Sequence, residues 1–240
     1  SLPKLGADSS GMALAEGLGH TRRSLHPGLV ALESDDPWVR RAQGVKVSAR
    51  VQATIAAATV VDTDDLLFAK YGVSGFTILN LSARLVPHLR EGGPLKLCVS
   101  LLPSLSAEHV SELLKIRWDR HPHRGALLSL AGLVHDKLAR ALLDKVGIDA
   151  RLPVVEIGKR RRWDLARVLT AWEIEVTGPR PFDYAEVTIG GICTDEVDPH
   201  SLESYLAPGL YLAGEMLDVH GDLGGYNFQW AWSSGHVAGS

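Results

Sequence analysis

The sequence predicts an α/β fold, and three segments carry that prediction. Gly209 to Ala213 is a short apolar run bounded by glycines, which is typical of a buried strand. A turn-forming stretch follows, and after it Tyr226 to Ala238 has the composition of a helix. Val45 to Val51 alternates apolar and polar residues, as a half-buried strand does. Strands and helices are therefore interspersed along one chain.

The first 24 residues are predicted to form a short helical segment. They open with a linker-like stretch, residues 1–6, that contains Pro3. Asp8 to Ser10 then offers N-cap side chains for a helix over Met12 to Leu18, and Gly19 is suited to end that helix. We expect a small capped helix that packs on a sheet.

The middle of the chain mixes short β-prone runs with amphipathic helices. Strands at this spacing suggest a small antiparallel sheet or barrel. Elements are predicted over Phe76–Arg84 (helix), Ala107–Trp118 (helix), Leu127–Val146 (one or two helices, with Gly132 as the break) and Trp172–Thr177 (strand).

Composition and charge argue against several functional classes. The 240 residues carry a formal net charge of −3, which gives no broad electrostatic basis for binding nucleic acid or an anionic membrane. No apolar run approaches the length of a transmembrane helix, and the N-terminus lacks a signal-peptide pattern. Two cysteines, Cys98 and Cys193, fit a reducing cytosol better than a disulfide framework. We therefore expect a cytoplasmic protein without a nucleic-acid or membrane partner.

Two charged stretches have alternative interpretations. Arg117 to Arg124 holds two histidines among four charged neighbours, and Lys159 to Arg162 is a basic run. A metal site is not favoured, because His121 and His123 flank a proline and lack nearby cysteines or a carboxylate set. A solvated loop and a solvated helix corner are preferred. A phosphate contact at the basic run and a nucleic-acid-binding module are the open alternatives.

The C-terminal turn is the strongest candidate for a ligand site. Residues 214–225 contain four glycines and three acids, directly before the predicted helix. Free backbone N–H groups extend from the first turn of a helix, and glycine lets a ligand come close. Asn227 and Gln229 lie where their amides reach a ligand, whereas Trp230 and Trp232 are expected to pack. An ordinary strand–loop–helix connection is the alternative that the spacing leaves open.

Several stretches resemble one family. They are Leu66–Ser82 (LLFAKYGVSGFTILNLS), Ala185–Ile192 (AEVTIGGI), Leu202–Glu215 (ending in PGLYLAGE) and Asp218–Gly235 (DVHGDLGGYNFQWAWSSG). With the opening residues 1–6, they are similar to the BaiN/RdsA-type NAD(P)/FAD-dependent oxidoreductases, also called aminoacetone-oxidase-like or YhiN-like flavoproteins. The resemblance covers nearly the whole chain and is weakest between about residues 95 and 180.

The resemblance implies a fold and an activity. The fold is a partial Rossmann-like FAD-binding domain in two parts, residues 1–24 and 182–240, around an inserted β-rich, barrel-like domain with a helical segment, residues 25–181. The activity is flavin-mediated hydride transfer between a nicotinamide cofactor or oxygen and a small organic substrate, with FAD bound and NAD(P)H as a candidate electron donor.

One element of that family is absent from the sequence. A G-x-G-x-x-G fingerprint, which belongs to an N-terminal βαβ unit, does not occur. We therefore expect a missing N-terminal segment or a companion chain to supply that unit. The alternative is a non-catalytic truncated fragment or binding domain that does not hold FAD alone.

The resemblance and the helix-start geometry together assign the cofactor contacts. Glu215 or Asp218 is expected to hydrogen-bond ribitol or ribose hydroxyls. The N–H groups of residues 224–227 are expected to face the pyrimidine edge of the flavin. The candidate cofactor-binding residues are Gly191, Gly214, Glu215, Asp218, Gly224, Gly225, Tyr226, Asn227, Phe228 and Gln229. No catalytic acid or base is assigned.

Overall fold

The computed structural model describes residues 6–240. Residues 1–5, which hold most of the linker-like stretch and most of the first family motif, lie outside the described residues. The chain forms two compact units. Unit 1 contains residues 6–31, 79–91 and 179–240, and unit 2 contains residues 32–78 and 92–178. Both units contain strands and helices, which confirms the predicted α/β class.

The secondary structure elements alternate along the chain. The strands are β1 (His26–Gly28), β2 (Leu32–Glu33), β3 (Lys46–Ile55), β4 (Ala58–Ala69), β5 (Gly72–Ser74), β6 (Leu95–Ser100), β7 (Trp172–Val176), β8 (Gly178–Pro179) and β9 (Val187–Ile189). The helices are α1 (Ser10–Gly17), α2 (Pro37–Arg41), α3 (Phe76–Glu91), α4 (Ala107–Arg120), α5 (Ala126–Ser129), α6 (Asp136–Lys145), α7 (Lys159–Thr170) and α8 (Tyr226–Ala238). No helix within residues 6–240 is long and apolar enough to cross a membrane.

Unit 2 is built on an antiparallel sheet that closes on itself. The strand order is β7-β6-β3-β4-β5-β2-β8, and β3 pairs with β4 from Lys46↔Leu67 to Ile55↔Ala58. Thr177 alone separates β7 from β8, so one continuous stretch of chain lies at both ends of this order. The Thr177 N–H donates to the Glu33 carbonyl at 2.9 Å, which joins the two edges. The predicted barrel-like sheet is therefore confirmed.

The core of unit 2 is apolar and aromatic. Trp172 and Phe68 are fully buried, and their rings stack with centroids 5.3 Å apart. Strand β7 alternates buried and exposed residues along its length, because successive side chains of a strand point to opposite faces. Gly132 has a left-handed φ of +79° between α5 and α6, so the region predicted as one or two helices is two, with Gly132 between them.

Unit 1 has little sheet. Strand β1 pairs antiparallel with β9, and one core cluster of the unit consists of Met12, Ala15, Ile192, Val197, Leu202, Leu212 and Leu217. The predicted strand over Gly209–Ala213 is wrong, since only Tyr211 makes an isolated bridge, to Glu203. Leu212 of this segment does pack in the core. Among the described residues, however, the backbone beside the segment is an irregular loop and not a strand. A ladder therefore does not form.

The compact units differ from the predicted domain bounds in three places. Their junctions lie after residues 31 and 178, whereas the sequence places them after residues 24 and 181. Residues 79–91, most of α3, belong to unit 1 and not to the inserted part. The assignment of the units to a cofactor-binding and an inserted domain stays a prediction.

Candidate functional site

The N-terminus of α8 is open to a ligand. Its N-cap residue, Gly225, has a left-handed φ of +90° and provides no side-chain cap. The Gln229 N–H donates to the Gly225 carbonyl at 2.9 Å, which closes the first helical turn. The N–H groups of residues 226–228 precede that bond and so have no acceptor within the helix. A Cβ built on Gly225 meets nothing within 4 Å, so space remains beside this turn.

A cleft of about 420 Å³ lies at this helix start, within unit 1. Its described walls are apolar and acidic, and within residues 6–240 no lysine or arginine lines it. The lining residues are Leu29, Glu186, Val187, Glu215, Asp222, Leu223, Gly224, Gly225, Asn227, Phe228 and Ala231. Five of the ten predicted cofactor-binding residues are among them: Glu215, Gly224, Gly225, Asn227 and Phe228.

Two asparagine side chains hold the glycine-rich turn in place. Asn227 accepts the Gly221 N–H on Oδ1 and donates Nδ2 to the Gly221 carbonyl, each at 2.9 Å. Asn80, on the part of α3 that belongs to unit 1, accepts the Leu223 N–H at 3.0 Å. The amide of Asn227 therefore binds the chain itself, although the sequence predicts that it reaches a ligand.

The two acids predicted to bind hydroxyl groups have different positions. One carboxylate oxygen of Glu215 accepts the Thr188 N–H at 2.8 Å, and this side chain lines the cleft. Asp218 lies outside the cleft lining and forms an ion pair with Arg23, with 3.2 Å between its oxygen and Nε. Hydrogen bonding to Cys193, followed by the Asp218 charge, raises the pKa of the exposed Arg23 guanidinium. Glu215 is thus the better placed of the two.

Two predicted glycines serve contacts within the chain. Gly191 has a φ of +145°, and a Cβ built on it lies 2.8 Å from the Met216 carbonyl oxygen and the Leu217 carbonyl carbon. Gly214 donates its N–H to Ser234 Oγ at 2.9 Å and accepts the Trp230 indole N–H at 3.0 Å. The close approach that the sequence predicts at Gly191 is therefore an approach by the chain's own backbone.

The remaining predicted residues lie on the exposed surface of α8. Tyr226 is 64% exposed, and the Gln229 amide donates to Ser233 at 2.8 Å, so neither lines the cleft. Phe228 and Trp232 are 69% and 68% exposed and stack on each other, with ring centroids 6.0 Å apart. The expectation that Trp232 packs in the protein is wrong within the described part of the chain.

Sequence reasoning missed six of the described lining residues: Leu29, Glu186, Val187, Asp222, Leu223 and Ala231. Asp222 and Leu223 lie in the glycine-rich turn itself, so naming every residue of that turn as a candidate would have included them. Leu29 is buried and has a left-handed φ of +45°, a conformation that costs a leucine about 1–2 kcal/mol. Strain of this kind is common near ligand sites, but no sequence pattern marks a left-handed leucine.

A second polar cluster in unit 1 resembles a hydrolase triad, but its role is structural. His20 Nδ1 lies 3.0 Å from Glu196 Oε2, and its Nε2 lies 2.7 Å from Ser204 Oγ. His20 and Ser204 are both buried, and Ser204 Oγ also accepts the N–H groups of Leu206 and Ala207. A nucleophilic serine needs access to substrate, which this one lacks. The cluster therefore ties the N-terminal segment to residues 196–207.

No metal-binding cluster accompanies these sites. Within residues 6–240, no group of three or more histidine, cysteine, aspartate or glutamate side chains is arranged to hold a metal ion.

Comparison with known proteins identifies relatives of the chain. The family model described as HI0933-like protein Rossmann domain matches residues 1–240. The chain is 36% identical over 236 residues to the 3-dehydro-bile acid delta(4,6)-reductase of Clostridium scindens, covering 98% of the chain and 58% of the relative. It is 34% identical over 238 residues to the ribosomal RNA dihydrouridine synthase of Escherichia coli, with 98% and 56% covered. A Haemophilus influenzae ribosomal RNA dihydrouridine synthase is 31% identical over 241 residues, with 99% and 56% covered. The chain thus spans little more than half the length of these relatives.

Proposed function

The chain belongs to the family of the HI0933-like protein Rossmann domain, a family of FAD-dependent oxidoreductases, and from that premise we propose that it forms part of an enzyme that transfers hydride through FAD. The cleft at the start of α8 is the observation that carries the proposal. Its volume of about 420 Å³ lies in the range of ligand pockets, roughly 300–1,000 Å³.

The cleft residues fit the flavin ring system better than the adenosine diphosphate half of FAD. Apolar side chains such as Leu29, Val187 and Phe228 suit a flat aromatic ring. Three acids, Glu186, Glu215 and Asp222, line the same cleft, no lysine or arginine of the described chain joins them there, and they repel a pyrophosphate. We therefore assign the flavin end of the cofactor to this cleft and the phosphates to a part of the protein beyond it.

FAD, when bound, supplies the acceptor and donor of hydride. The chain's own contribution is position and electrostatics. The N–H groups of residues 226–228, which have no acceptor within the helix, and the positive end of the α8 dipole stabilise negative charge at a ring edge. Gly224 and Gly225 let the ring approach the backbone. Glu215, held by Thr188, is oriented to accept a hydrogen bond from a ribityl hydroxyl.

The names of the relatives suggest the reaction type. A delta(4,6)-reductase and a dihydrouridine synthase both, by name, add hydrogen across a carbon–carbon double bond. We propose the same reaction here: one hydride and one proton add across a polarised double bond, while NAD(P)H is oxidised to NAD(P)⁺. Steroid-like enones and pyrimidine bases are the substrate classes to screen first.

A second candidate function is a segment that does not hold FAD alone. The chain matches 58% and 56% of the length of two relatives, so those enzymes contain further segments that it does not match. Phe228 and Trp232 are exposed on α8 next to the cleft, and large exposed aromatic patches commonly mark an interface. A missing N-terminal segment or a companion chain would cover them and supply the phosphate site.

The test is retention of FAD after incubation and gel filtration, read from the visible absorbance of the protein fraction. Ala231→Leu adds three carbons to the cleft wall on α8, and Ser233→Leu adds a similar side chain on the exposed side of the same helix. We expect wild type and Ser233→Leu to retain flavin, and Ala231→Leu to bind it at least about tenfold more weakly.

Equal retention by Ala231→Leu and wild type would show that flavin does not occupy this cleft. Loss of flavin from wild type itself would favour the second candidate. The next test is then FAD binding by the chain fused to the segment of a relative that it does not match. Failure of that fusion protein to bind FAD would contradict the flavoprotein proposal.

A further inference from the structure

Unit 2 contains an arginine-lined hollow at the C-terminal end of α4. Its volume is about 180 Å³, and it is lined by Arg117, Arg120, His121, Arg124 and Ser129. No acidic side chain is among these described lining residues. Three guanidinium groups with no facing carboxylate repel one another at short range unless an anion lies between them.

One wall of the hollow is held rigidly. Arg117 donates Nε to the Ser129 carbonyl at 3.2 Å and Nη2 to the Ala131 carbonyl at 2.8 Å. Ser129 is buried, accepts the Trp118 indole N–H at 3.0 Å and donates to the Ala126 carbonyl at 2.7 Å. The Arg117 side chain is thus positioned before any ligand arrives, which reduces the entropy lost on binding.

A second group of cations follows a segment that is hydrogen-bonded to the edge of the hollow. Val154 donates to the Arg124 carbonyl at 2.9 Å, and Val155 donates to the Pro122 carbonyl at 3.0 Å. Lys159 is four residues further on, so its backbone lies within about 14 Å of Val155. It begins α7, whose first turn is Lys159–Arg162, at the positive end of the helix dipole. Cations at that end destabilise a helix unless an anion offsets them.

The local charge is opposite in sign to that of the chain. Residues 117–162 contain eleven lysines and arginines but five aspartates and glutamates, whereas the whole chain has a net charge of −3. The expectation of no nucleic-acid partner comes from that net charge and does not address a local basic surface. A local excess of positive charge favours a ligand with more than one negative charge.

We propose that this hollow binds phosphoryl oxygens, with Arg120 and Arg124 as ligands and Arg117 as the fixed wall. Guanidinium groups pair with phosphate through two parallel hydrogen bonds, and several of them suit a dianion or a run of phosphodiesters better than a single carboxylate. The phosphate belongs either to an RNA backbone, which would continue along the cations of α7, or to a free phosphate group. The site lies outside the flavin cleft and does not depend on the proposed function.

Two binding measurements on the full chain without added flavin separate the two sources. Fluorescence anisotropy follows a labelled single-stranded RNA of mixed sequence across a salt series, and phosphorus NMR line broadening follows inorganic phosphate. The test variant is Arg120→Ala with Arg124→Ala. The control is Arg84→Ala with Arg90→Ala, two exposed arginines of α3 that lie outside residues 117–162 and do not line the hollow, which makes the same change in net charge.

We expect the test variant to bind RNA at least about tenfold more weakly than the control, with a salt slope smaller by about 1.4 for two lost phosphate contacts. Thermal unfolding should be the same for both. Binding of inorganic phosphate but not of RNA, with the same loss in the test variant, supports the site and identifies free phosphate as the source. Absence of binding to both probes, or equal binding by the two variants, would overturn the proposal.

Discussion

The side-chain amide of Asn227 binds both backbone groups of Gly221, with the N–H of Gly221 donating to Oδ1 and Nδ2 donating to the carbonyl, each at 2.9 Å. The glycine-rich turn is thereby attached to the first turn of α8. Because residues 222–225 line the cleft, the position of the cleft wall depends on this pair.

Asn227→Asp is expected to weaken that attachment. The variant keeps the acceptor, loses the Nδ2 donor and places a carboxylate oxygen against the Gly221 carbonyl. The free energy of unfolding should fall by about 1–3 kcal/mol in urea titrations, and FAD retention should fall with it. Gln229→Glu makes the same chemical change on the exposed side of α8 and should shift stability by less than about 0.5 kcal/mol. Equal stability of the two variants would show that the pair does not hold the turn.

Gly191→Ala is expected to be strongly destabilising. Its φ of +145° is unfavourable for alanine, and the new Cβ would lie 2.8 Å from atoms of residues 216 and 217. These are backbone atoms, which cannot move aside as the end of a flexible side chain can. We predict a loss of at least about 3 kcal/mol in the free energy of unfolding. Gly17→Ala, at the last position of α1 with open space around it, should be neutral or stabilise by up to about 1 kcal/mol. A Gly191→Ala protein as stable as wild type would contradict the described backbone contact.

Glu196 is expected to make stability depend on pH in the acid range. Hydrogen bonds from Thr21, and then from His20, hold the pKa of Glu196 below its ordinary value of 4.5. A carboxyl whose pKa falls on folding stabilises the folded state above its unfolded pKa, and that stabilisation is lost as the pH falls through the folded pKa. Wild type should therefore lose stability more steeply than Glu196→Gln as the pH decreases below about 4.5.

Chemical unfolding at a series of pH values measures this difference. Glu112→Gln, on the surface of α4, is the matched control and should follow the wild-type curve. If Glu196→Gln also follows that curve, the Thr21 and His20 contacts do not persist in solution.

Two tryptophans stack on phenylalanine, and truncating them should cost very different amounts of unfolding free energy. Trp172 is fully buried against Phe68, so Trp172→Ala should cost about 3–5 kcal/mol of unfolding free energy. Trp232 is 68% exposed beside Phe228, so Trp232→Ala should cost less than about 1 kcal/mol. Thermal unfolding of both variants checks the contrast. A large cost at Trp232 would mean that α8 is covered in solution, for instance by a second copy of the chain.

The sequence by itself determined the local features of this protein. The alternation of Val45 to Val51 predicts strand β3, and the apolar and polar spacing of residues 107–118 predicts α4. The glycines and acids of residues 214–225 mark the turn that borders the cleft, because the backbone conformations and the helix start they permit are local properties. The family is also recognisable from motifs that are continuous in sequence.

Only the tertiary structure decided which of these residues face the cleft. Asp218 pairs with Arg23, Asn227 binds Gly221, and Gly191 contacts the backbone of residues 216–218, and each partner is fixed by how the chain folds back on itself. Leu29 and Val187, far away in sequence, complete the cleft wall. A sequence pattern specifies a residue's own conformation, whereas hydrogen bonds and packing over long sequence separations depend on the whole fold.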